Sequence, residues 1–431
     1  MNMDLGAADL LSFYRRHAED DLLPFWMRAA DPARGGVYTC FDNAGKRLVS
    51  TDKYTWSQGR FVWLLAQAAS MMRRGLLAGD EASCLEQARR TVGFLREHAF
   101  LDNGNCAYLL TEDGRWKEAL PGLGHDISFF ADCFVVLGFA RYALVAEDAE
   151  VLEGAHRLYR RIVERLAAGD GRSEPYPVPA GFEAHATPMI LLCVADELAE
   201  ALEAHRHPEA GAVRADAVSY MDDIMDRFRD GGVIREMLPA DPGDADTLLG
   251  RHLTPGHALE SMWFVMRAAL RAGRRERIDQ AANVIARMFL LGWDDEAGGL
   301  FRYVDRDGGE PRGRLIGGRY EDLVRETWDM KLWWPHSEAL YALLLAWRLT
   351  GRDEFRGMYG QAHEYVFRTF PNPDKAIGEW IQIRDRQGRP VEKTVALPVK
   401  DPFHILRNVL LIIELLADGS MDATADAPRN A

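Results

Sequence analysis

Two stretches far apart in the chain read alike: GGVYTCFDNAG at Gly35–Gly45 and GGLFRYVDRDG at Gly298–Gly308. Each opens on Gly-Gly, places an aromatic residue fourth, an Asp seven places after the first Gly and a Gly ten places after it. Alternating β-prone residues followed by Asp or Asn and Gly describe a short β-hairpin. Weaker copies follow at lower stringency. GNCAYLLTEDG (Gly104–Gly114) and GEWIQIRDRQG (Gly378–Gly388) keep the Gly-to-Gly spacing, GGVIREMLPAD (Gly231–Asp241) keeps the opening, and GRSEPYPVPAG (Gly171–Gly181) keeps only its two glycines. The starts at 35, 104, 171, 231, 298 and 378 are separated by 69, 67, 60, 67 and 80 residues. That period is longer than the common solenoid units yet regular enough to define a repeat.

Between the hairpins the pattern is helical. Each full interval carries a first helix apolar on most faces, such as HDISFFADCFVVLGFARYALVA, then one with a single apolar stripe, such as DAEVLEGAHRLYRRIVERLAA. A helix apolar all round is buried, and a striped one lies outside it. After the sixth hairpin only DPFHILRNVLLIIELLADG remains, and the N-terminal ADLLSFYRRHAEDDLLPFWMRAA can supply its partner. The expected fold is therefore all-α: an (α/α)6 barrel, or toroid, with short β-hairpins between helix pairs. It would be one catalytic domain over residues 1–420, with a frayed polar tail at 421–431.

The bulk numbers agree. The 431 residues are 48% hydrophobic and 27% charged, as in a soluble globular chain. The net charge of −14 argues against a nucleic-acid partner. No run approaches about twenty uninterrupted apolar residues, so no membrane span is expected. The first residues lack the order of a signal peptide. Cys40, Cys84, Cys106, Cys133 and Cys193 are scattered without a CxxC, which reads as reduced, mostly buried thiols in a cytoplasmic protein.

Polar and aromatic residues gather near the start of every inner helix: Trp56, Gln58 and Arg60; His125 and Asp126; His185; His257 and Glu260; Trp333, Trp334, His336 and Glu338; His404 and Arg407. Parallel inner helices would bring these ends to one mouth, where their N-termini add positive potential. His257 with Glu260 and His404 with Arg407 are i,i+3 pairs, so each pair shares a face. His125, His185 and His336 taken singly read equally well as caps or satisfied core groups. No GxGxxG after a strand, P-loop, HExxH or GxSxG occurs. A set of His and carboxylates that would mark a metal centre is not evident, so no metal and no cofactor are expected.

These residues carry a family resemblance. TDKYTWSQGRFVWLL, TPGHALESMWF, GWDDEAGGLF, WDMKLWWPHSEAL and PFHILR resemble, in order, the motif blocks of the N-acylglucosamine 2-epimerase (renin-binding protein) family, from about Gly35 to Arg407. The resemblance implies an (α/α)6 barrel and sugar 2-epimerase or aldose–ketose isomerase activity, usually without metal. It implies that His257 and His404 are the acid/base pair, and that Arg60, Glu338 and Arg407 hold substrate and charge. His185, in EAHATPM, is similar to a feature of the mannose-isomerase branch and is expected to be among the substrate-binding residues. The stretch RDGGEPRGRLIGGRYEDLV (Arg306–Val324) is longer than usual and is expected to form a lid or rim loop.

The chemistry suits the residue types. Epimerising C2 of an open-chain aldose removes a proton from one face and returns one to the other, which takes two bases with pKa values near neutrality. Arg60 or Arg407 would hold the charge developing on O1. Glu260 and Glu338 would orient a histidine or bind hydroxyls, and Trp333 would stack on a sugar ring. The expected partner is a small sugar of the N-acylglucosamine/N-acylmannosamine type, with a homodimer open. The alternative is an aldose–ketose isomerase of the mannose/fructose type. A glycoside hydrolase would need two carboxylates flanking the bond, with Glu260, Glu338 and Asp126 to choose from, but would leave the paired histidines without a task. A non-catalytic binding protein would leave both without one.

Overall fold

The computed structural model describes residues 6–395 and 397–418; the tail expected from residue 421 lies outside them. Six helices form an inner circle: Thr55–Arg73, Phe129–Ala146, Ala186–Ala204, Pro255–Arg271, Trp333–Thr350 and Phe403–Ala417. They pack in that order, and the sixth returns to the first. Almost every side chain of Phe129–Ala146 is buried. This helix has a mean hydropathy of 1.7 and the length to cross a membrane, but 83% of it is enclosed by the rest of the ring.

The outer circle is Glu81–His98, Ala149–Ala167, Ala210–Asp223, Arg275–Gly292 and Asp353–Thr369. Two of these helices carry side-chain caps. Asp80 accepts from the Ser83 N–H and Asp148 from the Val151 N–H, each satisfying a donor the first turn leaves free. The sixth outer position belongs to the N-terminal helix, Ala7–Arg16, continued through a π turn at His17–Leu22 into Leu23–Ala29. Pro24 has no N–H for the Asp20 carbonyl, and the wider turn sits just before it. This helix packs on the sixth inner helix, completing the pair the sequence left open.

The repeated phrases build turns that stitch one repeat to the next. Gly45, Gly114, Gly308 and Gly388 donate to the carbonyls of Asp42, Thr111, Asp305 and Asp385, so the Asp-x-x-Gly end of the phrase, Thr-x-x-Gly in the second copy, is a tight turn with Gly at positive φ. The strand entering each inner helix pairs with the following phrase. Lys53–Tyr54 pairs with Leu109–Leu110, His252–Leu253 with Val304–Asp305, and Lys331–Leu332 with Ile383–Arg384. Lys400, entering the sixth inner helix, donates to Thr39 of the first phrase and closes the cycle. Two copies differ. In the fourth, Gly231–Gly232 turn a hairpin of Arg229–Asp230 on Val233–Ile234, and Met237–Pro239 pairs back to Phe182–Ala184. The third forms no strand pair of its own and contributes a bridge from Ser173 to Ser128 and the Gly181 carbonyl, which accepts from Ala240, because its prolines cannot donate to a ladder.

Candidate active site

The stitched ends of the inner helices surround a cavity of about 200 Å³. His257 and Glu260 line it from the fourth inner helix, Trp333 and Trp334 from the fifth, His404 and Arg407 from the sixth, and Trp56 and Arg60 from the first. Helix phase makes this possible: residues three apart project from one face, so the His–Glu and His–Arg pairs point inward together.

The two histidines are built alike. His257 Nδ1 lies 2.9 Å from Oε1 of Glu236, and His404 Nδ1 lies 2.7 Å from Oε1 of Glu338. A carboxylate can only accept, so each Nδ1 carries the proton and each Nε2 is left with the lone pair. Both imidazoles pack against Trp334, with centroids at 5.0 Å for His257 and 5.9 Å for His404. Burial alone would push the His257 imidazolium toward a lower pKa. The charge and hydrogen bond of Glu236 outweigh it, with Glu260 adding to them, and the pKa is raised above the usual histidine value. Burial would likewise raise Glu236, but the His257 charge and hydrogen bond hold it at about 2.

Around His404 the charges interlock. Arg407 Nη2 donates to Oε1 of both Glu260 and Glu338 at 2.6 Å. Glu338 Oε2 accepts from Trp263 Nε1 at 2.7 Å. Burial works against the Glu338 charge, yet Arg407 and His404 keep its carboxyl well below the usual range. On the other side, His404 Nε2 lies 3.4 Å from Arg60 Nη2 and 3.7 Å from Asp401 Oδ2. Asp401 also meets Arg60 Nη1 at 3.4 Å and Trp333 Nε1 at 3.1 Å. Burial lowers the Arg60 pKa to about 10 despite Asp401, so it remains a cation at neutral pH. Glu260, Glu338 and His404 offer ligand atoms within 4.8 Å of one another, a spacing that could hold a metal. The Arg407 guanidinium already supplies the positive charge that these carboxylates face.

Other residues singled out in the sequence lie elsewhere. His185 is fully enclosed behind the cavity wall, its Nε2 3.0 Å from Ser261 Oγ, and burial lowers its pKa to about 4. Its backbone N–H donates to the Glu236 carbonyl, so it holds the residue just before the strand Met237–Pro239. Glu338 also stands behind the wall and acts on the cavity through His404 and Arg407. His336 takes the Leu300 N–H and holds the Leu332 carbonyl, and Gln58 holds Val37, so both are structural. Asp126 binds Asn103, Asn105 and Arg172 outside the cavity. The long stretch after Asp305 is a rim. Arg314 pairs with Asp244, Arg306 with Asp246, and the helix Arg319–Thr327 brings Tyr320 to the cavity. Glu236 and Asp401 carry no motif in the sequence that marks them as site residues. Asp401 stood just before PFHILR, where it caps the helix by accepting from the Phe403 N–H.

A family model for N-acylglucosamine 2-epimerase matches residues 36–408. The chain belongs to the N-acylglucosamine 2-epimerase family. It is 31% identical over 409 residues to the Bos taurus N-acylglucosamine 2-epimerase, covering 92% of this chain and 89% of that one. Among solved structures it superposes on cellobiose 2-epimerase from Spirochaeta thermophila with a TM-score of 0.75 at 16% identity, covering 97% and 99% of the two chains. It superposes on a D-mannose isomerase with 0.72 at 15%, covering 96% and 100%. At such identities the solved structures establish the shared helical barrel. Family membership makes the chain an isomerase of the sugar 2-epimerase kind.

Proposed function

We propose that the chain interconverts an open-chain aldose, or its N-acylated 2-amino analogue, with the C2 epimer by a two-histidine proton exchange. The observation that carries this reading is the pair of imidazoles, each held through Nδ1 by a buried carboxylate, with both rings packed against Trp334 in a sugar-sized cavity. One Nε2 takes the proton from C2. The electron pair moves toward C1, leaving an enediolate or enolate-like species with charge on O1. The Arg60 guanidinium, 3.4 Å from His404 Nε2, is placed to hold that charge. The other Nε2 returns a proton to the opposite face of C2. Arg407 is engaged by Glu260 and Glu338, and its part is to fix the carboxylates that orient His404. The bovine relative's name supports an N-acylglucosamine/N-acylmannosamine substrate. The aldose–ketose reading needs the same residues and differs only in returning the proton to C1.

The test is turnover of N-acetylmannosamine, mannose and glucose in D2O without added cofactor. Deuterium at C2 of the epimer is expected. Label at C1 of a ketose would replace this reading with isomerisation, and conversion without label at either carbon would remove the exchange mechanism.

A further inference from the structure

Three arginines line the cavity, and two of them are neutralised: Arg60 by Asp401 at 3.4 Å, and Arg407 by Glu260 and Glu338 at 2.6 Å. Arg302 is different. It is 3% exposed, yet among the described residues no carboxylate lies within ion-pair distance of it. Its Nη1 donates to Thr327 Oγ1 at 3.0 Å, and its Nη2 donates to Tyr176 OH at 3.2 Å and the Val395 carbonyl at 3.0 Å. Its guanidinium carbon lies 4.9 Å from the centre of the Tyr303 ring. Its Nε has no partner among the described residues. Burial raises the pKa of Tyr176, Tyr303 and Tyr320, so these neighbours stay neutral at physiological pH.

A guanidinium taken out of water with only neutral acceptors is an uncompensated charge, and buried charges are ordinarily paired. The repeat sharpens the point. Thr39, Tyr108, Arg302 and Gln382 occupy the fifth place of their phrases, and all four are buried. Three are neutral and one is a cation; in the other two phrases the place holds Pro175 and Arg235, both partly exposed, and Arg235 donates to the Arg227 carbonyl. The buried cation is anchored by residues from three rim segments, and its charge reaches His257.

We propose that Arg302 receives an anionic oxygen group on the substrate, a phosphate ester or a carboxylate carried at the end of the sugar remote from C1 and C2. This rests on the reading of the cavity as a sugar site. The histidines and Arg60 claim the reacting end, so the substituent at Arg302 is the distal one, next to the rim. Its negative charge would complete the ion pair that the protein leaves open, and Arg presents planar donors suited to both groups.

Binding tests this separately from turnover. Thermal stabilisation of the whole protein by mannose, mannose 6-phosphate, mannuronate and inorganic phosphate is titrated for the wild type, Arg302→Gln and Arg302→Lys. One of the two anionic sugars should stabilise the wild type at concentrations at least tenfold below mannose, and which one does so identifies the group. That preference should fall at least tenfold in Arg302→Gln and in part survive in Arg302→Lys. Equal responses of the wild type to neutral and anionic sugars overturn the proposal, even if neither variant folds. So does an equal loss for both sugars in Arg302→Gln, which would make Arg302 a tie for the rim alone. Tight anionic binding without C2 exchange would instead count against the epimerase reading and leave the anion site standing.

Discussion

Glu236 decides the pH at which His257 can accept a proton. A base must be neutral to act, so a raised His257 pKa places the acid limb of kcat/KM above the ordinary histidine value. Glu236→Gln removes the charge that opposes burial and leaves burial dominant, so the pKa falls and the acid limb moves to lower pH. A pH profile that stays in place, or moves up, would show that His257 is not the group seen there. His257→Asn and His404→Asn should each lower kcat by about 10²–10⁴-fold with unchanged circular dichroism, the range for loss of a positioned acid or base. Near-native turnover in either would end the two-base assignment. Glu338→Gln is a stability test as well, because it leaves Arg407 and His404 with a depleted partner. Breaking such a buried pair costs about 3–5 kcal/mol, readable as a lower urea midpoint. The histidines were legible because each stands in a short motif on its own helix. Glu236 was not, because it lies 21 residues before His257 and reaches it through strand pairing between Phe182–Ala184 and Met237–Pro239.

At the scale of elements, the first two inner helices approach closely because each has a glycine at the crossing. A Cβ on Gly59 would stand 2.2 Å from the Phe134 carbonyl oxygen, and one on Gly138 would stand 2.3 Å from the Gly59 carbonyl oxygen. Backbone cannot yield as a side chain tip does. Gly138→Ala should therefore destabilise by about 1–3 kcal/mol, the cost of overpacking, although alanine is the better helix former. Gly93 and Gly154 lie on outer helices with open space around them. Their alanine variants should stabilise by up to about 1 kcal/mol. Opposite signs in denaturant melts are the expected outcome, and a stabilising Gly138→Ala would refute the close crossing. The repeat itself was legible from Gly and Asp spacing, because turn geometry is local. A second layer of it was not. Asp31 and Asp294, each four places before a phrase, hold Lys53 and Lys331 at 2.8 and 3.0 Å. Those lysines come from strands about 22 and 37 residues later, so the pairing emerges only once the repeat is folded.

The whole molecule depends on closure, because the first and sixth inner helices each lack a neighbour until they meet. His404 and Arg407 sit on that sixth helix, and the segment that holds it from outside is the N-terminal one. It packs on that helix and is itself anchored on the fifth outer helix and the sixth phrase: Tyr14 OH bonds Tyr359 OH at 2.8 Å, His17 Nε2 accepts from Trp380 Nε1 at 2.8 Å, and Trp26 Nε1 donates to Glu379 at 2.5 Å. These contacts tie residues more than 340 positions apart, so the long-range closure of the ring is part of the active site's foundation. A chain beginning at residue 30 should lose both the single cooperative melt and activity, since it uncovers the apolar face of Phe403–Ala417. Loss on truncation alone could reflect any missing helix, and a circular permutant separates the two causes. Joining the two termini and opening the chain between Gly273 and Arg274, an exposed turn where Gly273 has open space around it, keeps the helices of both circles while changing their order. If closure is what matters, the permutant should keep C2 exchange and melt in one transition, and the truncated chain should do neither. A truncated chain with native activity would show that the N-terminal helix only decorates a ring that stands without it.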